Sequence, residues 1–96
     1  MNVIAVKEEY HGYIRLYPNT PDNCDKIAAA LAKDCNHKEV SINGCEQSFS
    51  SRSKFDAALR AALKEQRLEM LNEDYFSFSF GEIKDFEKLP DDYYGF

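Results

Sequence analysis

Tryptophan is absent from this 96-residue sequence, and glycine, proline, cysteine and histidine are scarce, at four, three, three and two residues. The glycines are scattered singly, which excludes the glycine-rich loops that cradle phosphates through closely spaced backbone N–H groups. Three cysteines cannot all pair within one chain. Cys24 and Cys35 fall on one expected helix, which sets them about 16 Å apart at 1.5 Å per residue, too far for a disulfide. Free thiols fit a reducing compartment, and both are expected to be buried. No apolar run approaches the roughly 20 residues that span a bilayer, and the N-terminus lacks a basic segment followed by a long apolar one. These absences give the expectation of a cytoplasmic protein with no membrane partner.

What is present is enough for one core. Hydrophobic residues make up 44%, including seven Phe and six Tyr, beside 30% charged residues. That balance is globular rather than disordered, and the length suits one domain. Residues 1–96 are therefore read as a single compact α+β domain, with 81–96 as an acidic aromatic C-terminal tail.

Pattern and turn chemistry lay out the elements. Residues 2–18 read as a hairpin around the His11-Gly12 turn, with Ile14 and Leu16 toward the core and Tyr13, Arg15 and Tyr17 on the opposite face. Thr20 as N-cap, Pro21 at the first helical position and Asp22 in the first turn begin a helix. Its apolar stripe is Cys24, Ile27, Ala28, Leu31 and Cys35. A strand at residues 39–42 is joined by Asn43-Gly44, a two-residue hairpin turn, to a partner at 45–49. A second helix is expected from Ser53, as cap, to about Asn72, with Phe55, Ala58, Leu59, Ala62, Leu63 and Met70 on one face. Residues 75–80 alternate Phe and Ser and predict a strand. The whole predicts an antiparallel sheet of four to five strands with two helices on one face, in the order β-β-α-β-β-α-β.

Charge is segregated along the chain. Residues 65–96 carry nine acidic residues against three basic ones, a net of −6, while the first 64 carry nine basic against eight acidic. On the expected second helix, Glu65, Glu69 and Glu73 form a row about 6 Å apart, and Arg60, Lys64 and Arg67 line another flank. Such a row approximates every second phosphate of a nucleic-acid strand. The acidic excess continues through Asp74, Asp85, Asp91 and Asp92 toward Tyr93 and Tyr94, and tyrosine beside acid suits a protein interface. These nine residues, from Glu65 to Tyr94, are the candidate partner-binding set.

Other chemistries fit less well. Tyr13, Arg15 and Tyr17 on one strand face have the make-up of a base-stacking sheet, but a formal charge of −5 and a pI near 4.9 repel nucleic acid. Cys35, His37 and Cys45 match no zinc-ligand spacing. No signature surrounds a cysteine nucleophile, and His11 and His37 are the only histidines. No catalytic residue, cofactor or metal is expected.

Small size, acidic charge and the absence of a catalytic motif make the chain similar to the small acidic inhibitors that phages deploy against host nucleic-acid machinery, anti-CRISPR proteins and DNA mimics in particular. The resemblance covers the whole chain. It implies stoichiometric binding to a basic, nucleic-acid-binding surface of a CRISPR effector ribonucleoprotein, occlusion of target DNA, and residence in the host cytoplasm. Separately, the residues Leu89-Pro90-Asp91-Asp92-Tyr93-Tyr94-Gly95-Phe96 resemble a turn motif of barstar-type ribonuclease inhibitors, where it leads into a helix. The alternative reading is a toxin-neutralising immunity protein or a subunit of a protein assembly, binding through the hairpin and the aromatic tail.

Overall fold

The computed structural model describes residues 2–34, 39–71, 76–86 and 93–94. The N-terminal hairpin forms as the pattern predicts, with β1 (Asn2–Glu8) pairing antiparallel to β2 (Tyr13–Pro18). Helix α1 (Pro21–Asp34) begins where the cap chemistry places it, and the N–H of Asn23 donates to Thr20 Oγ1 at 3.1 Å. Strands β3 (Glu39–Ile42) and β4 (Cys45–Ser48) follow. Asn43 and Gly44 have φ of 51° and 79°, the left-handed pair that a tight hairpin turn requires.

The second helix departs from expectation at both ends. α2 spans Arg52–Lys64, and its N-cap is Ser51, whose hydroxyl accepts from the N–H of Lys54, rather than Ser53. Its C-terminus is a Schellman motif: the N–H of Arg67 donates to Ala62 O at 2.8 Å and that of Gln66 to Leu63 O at 3.2 Å, with Gln66 at φ 58°. A residue in that conformation turns the chain out of the helix. The helix therefore stops eight residues short of Asn72, and Leu68–Leu71 is strand β5. Met70, which had extended the apparent helical stripe, lies on this strand between the buried Leu68 and Leu71.

Strand β6 (Phe76–Glu82) forms as the alternation predicts and leads into a short 3-10 turn, η1, at Ile83–Phe86. A two-residue strand, β7 (Tyr93–Tyr94), pairs parallel with β2. The sheet order is β4-β3-β5-β6-β1-β2-β7. Six antiparallel strands replace the four or five expected, β5 being the addition within the sheet, and β7 is added parallel at one edge.

Both helices bury their stripes on one face of this sheet. Cys24, Ile27, Ala28 and Ala32 of α1 and Phe55, Leu59, Ala62 and Leu63 of α2 share a cluster with Ile4, Val40, Leu68, Leu71 and Phe78. Tyr17 packs against this cluster, while Ile14 and Leu16 join Val3, Ala5 and Phe86 in a second cluster. The alternation on β2 is as expected, but the sides are exchanged: Tyr13, Arg15 and Tyr17 face the helices. The reason lies in β1. Val3, Ile4 and Ala5 are all buried, the mark of a strand covered on both faces, and Phe86 helps to cover the second.

Candidate functional site

The acidic row expected on one helix does not exist. Glu65 is the C-cap residue of α2, Glu69 lies on β5, and Glu73 and Asp74 fall outside the described residues. Glu69 is also engaged, since its Oε1 accepts the N–H of Gly44. Asp85 is exposed on η1 and its Oδ2 accepts the N–H of Glu82 at 3.1 Å. Asp91 and Asp92 lie outside the described residues. Tyr93 and Tyr94 are placed by backbone pairing with Ile14 and Arg15. Of the other cysteines and histidines weighed from sequence, Cys24 is buried, Cys45 is exposed, and Cys35 and His37 fall outside the described residues.

The basic flank of α2 is met across the helix pair. Asp25 of α1 lies 3.0 Å from Lys64 Nζ and 3.3 Å from Arg60 Nη1, and Arg60 Nε donates to Asp56 at 2.9 Å. The Lys64 hydrogen bond, against the opposing effect of burial and with help from Arg60, holds the Asp25 carboxyl below the usual carboxylate range. This is a seam that fastens the helices, with its charges directed at one another.

Sheet register divides the remaining acids between two ends. Asn2 pairs with Glu82 and Ile42 with Leu68, so Glu65, Glu69 and Asp85 belong to that end, where Arg67 and Lys84 are interspersed. At the opposite end β1 finishes in Glu8 and the turn continues through Glu9, Tyr10, His11 and Gly12. Phe76, the first residue of β6, pairs with Glu8, and Tyr93, the first of β7, pairs with Ile14. In sequence β6 is preceded by Glu73-Asp74 and β7 by Asp91-Asp92.

The turn at this end is built around Glu8. Its Oε1 accepts from the N–H of Tyr10 at 3.0 Å, and its Oε2 from the N–H of His11 at 2.9 Å, with His11 Nδ1 at 2.7 Å. Burial acts to raise the Glu8 pKa, but the His11 side chain and the two turn amides outweigh it and hold the group below its ordinary value. Glu9 is held by Ser77 Oγ and lies 3.7 Å from Lys7 Nζ. The His11 ring stacks on Tyr13, centroids 5.5 Å apart at 17°. Tyr10 is 76% exposed and Tyr13 43%, two of the three large hydrophobic side chains exposed among the described residues. Sequence reasoning had not nominated Glu8, Glu9 or Tyr10. The available signal was two adjacent acids and a tyrosine in the turn of a well-marked hairpin.

Beside this turn an open groove of about 570 Å³ lies between α1 and the helix-facing side of the hairpin. Val6, Glu8, Tyr13, Arg15 and Tyr17 supply its sheet side. Ile27, Ala30 and Leu31 form the helix wall, and Phe76 contributes from β6. Tyr17 is half-buried, which leaves the Tyr13–Arg15–Tyr17 ladder short of a fully exposed stacking platform.

Among the described residues no group of three or more His, Cys, Asp or Glu side chains is placed to hold a metal ion, and no helix is long and apolar enough to cross a membrane. No protein-family model, curated protein or solved structure matches the chain.

Proposed function

We propose that the chain is a stoichiometric inhibitor that binds a basic, nucleic-acid-binding surface, that of a CRISPR effector ribonucleoprotein, and blocks its access to target DNA. One observation carries this reading. The end of the sheet bearing Glu8 and Glu9 also exposes Tyr10 and Tyr13, and in sequence β6 begins there one residue after the acid pair Glu73-Asp74 and β7 immediately after Asp91-Asp92. Acid concentrated beside tyrosine offers steering toward a basic surface and contact area once there. Both ends mix their charges, with Lys7 and Arg15 at this one and Arg67 and Lys84 at the other, so the exposed tyrosines of the turn decide between them and Glu65, Glu69 and Asp85 are assigned a lesser part.

The test uses a purified effector complex and labelled target DNA. The reading expects the protein to compete with DNA and to lose affinity steeply between low and high salt. Neutralising Glu73, Asp74, Asp91 and Asp92 together to Gln and Asn should weaken binding roughly tenfold or more, mainly through the association rate. Salt-indifferent binding, or inhibition undiminished in that variant, would overturn it.

A second reading, a toxin-neutralising immunity protein that binds through the hairpin and the aromatic tail, is supported by the pairing of β7 with β2, which sets Tyr93 and Tyr94 beside the hairpin. It expects neutralisation of a ribonuclease toxin, with Tyr93→Ala and Tyr94→Ala reducing protection and no activity against the effector complex.

A further inference from the structure

The inhibitor reading makes no use of the groove between α1 and the N-terminal hairpin. We propose that it is a binding site for a flat, uncharged aromatic molecule carrying one hydrogen-bonding group, which Tyr17 receives through its hydroxyl. At about 570 Å³ the groove falls within the range of small-ligand sites, which are mostly apolar with a few placed polar groups. Three rings belong to its lining, those of Tyr13 and Tyr17 on β2 and of Phe76 on β6, and Val6 adds aliphatic surface from β1. Ile27, Ala30 and Leu31 form the helix wall, where Ala30 leaves width because its side chain ends at Cβ. Val6, Tyr17, Leu31 and Phe76 all pack on the main core yet are only half-buried. The core therefore opens into the groove, and a ring lying between sheet and helix would cover apolar surface on both sides.

The two charged residues of the lining select against an ion. The Glu8 carboxylate is turned to its own hairpin, where His11 Nδ1 and two backbone N–H groups take up its oxygens. Arg15 likewise has an interaction of its own. An anion or a cation entering the groove would shed water and meet an opposite charge that is already engaged, which is costly. Tyr17 differs from both. It lines the groove half-buried, and among the described residues its hydroxyl makes no hydrogen bond. A phenolic hydroxyl both donates and accepts, so it suits a neutral hydroxyl or carbonyl group on the ligand. A bare hydrocarbon ring would desolvate that hydroxyl and give nothing back.

The site can be probed in the intact protein at pH 7 with 2-naphthol, with naphthalene and 2-naphthoate as comparisons that share its ring system. Saturable binding of 2-naphthol, read by calorimetry and by amide chemical shifts at Val6, Tyr17, Ile27 and Leu31, is the expected result. The anionic 2-naphthoate should bind roughly tenfold or more weakly, because its carboxylate loses water without gaining a donor. Tyr17→Phe keeps the ring and its packing, and should lower 2-naphthol affinity roughly fivefold, to the level of naphthalene. Ala30→Trp should fill the groove and abolish binding of all three, with thermal unfolding of each variant recorded to confirm that the fold survives. Absence of saturable shifts at those residues, 2-naphthoate binding as tightly as 2-naphthol, or a Tyr17→Phe variant that still prefers 2-naphthol to naphthalene would overturn the proposal. None of these outcomes depends on the inhibitor reading.

Discussion

Gln66 shows how one backbone conformation redirects a chain. Its φ of 58° places a side-chain-bearing residue in the left-handed region, which costs roughly 1 kcal/mol relative to glycine, and the two Schellman hydrogen bonds hold it there. Gln66→Gly should therefore stabilise the protein by about 0.5–1 kcal/mol in urea unfolding, an unusual sign for glycine next to a helix. Asp25 makes a different kind of prediction. Its folded pKa lies below its unfolded value because Lys64 and Arg60 favour the charged form. The stabilisation is thus fully present above the unfolded carboxylate pKa and is lost as pH falls through the folded one. Asp25→Asn should lower the unfolding midpoint at pH 7, and the gap between variant and parent should close when both are measured near pH 2.

Among the elements, those with strong local punctuation were legible in the sequence. The Thr20-Pro21 start, the Asn43-Gly44 turn and the Phe–Ser alternation each state a local geometry, and α1, the β3–β4 hairpin and β6 follow them. The end of α2 was hidden because its terminating residue is a glutamine, where glycine is the usual mark, and because Met70, seven residues after Leu63, continues a plausible helical stripe. That error produced the acidic row, since Glu65 and Glu69 share a flank only if the helix runs on. The start of α2 was read at Ser53, two residues after the serine that caps it, Ser51. It yields a direct test: Ser51→Ala should cost about 1 kcal/mol by loss of the cap, whereas Ser53→Ala should stay within about 0.5 kcal/mol, as chemical denaturation would read. The candidate site was legible only in its ingredients, an acidic excess and tyrosines. Where they meet depends on strand register between distant segments, which no local pattern encodes.

For the whole molecule, the governing feature is the position of β1. It is hydrogen-bonded to β2 on one side and β6 on the other, and Val3, Ile4 and Ala5 are buried on both faces. Native-state hydrogen exchange should find its amides among the slowest, opening only with the global transition, while β4, exposed along its whole length at the sheet edge, should exchange sooner. The pairing of Asn2 with Glu82 also joins residues that are synthesised far apart in time. Until β6 leaves the ribosome, the first strand has one neighbour in place of two and its apolar run has nothing on that side to pair with. The sheet therefore closes late, as its last long strand arrives, and a nascent chain halted before Phe76 is a substrate for chaperones and proteases rather than a smaller version of the fold.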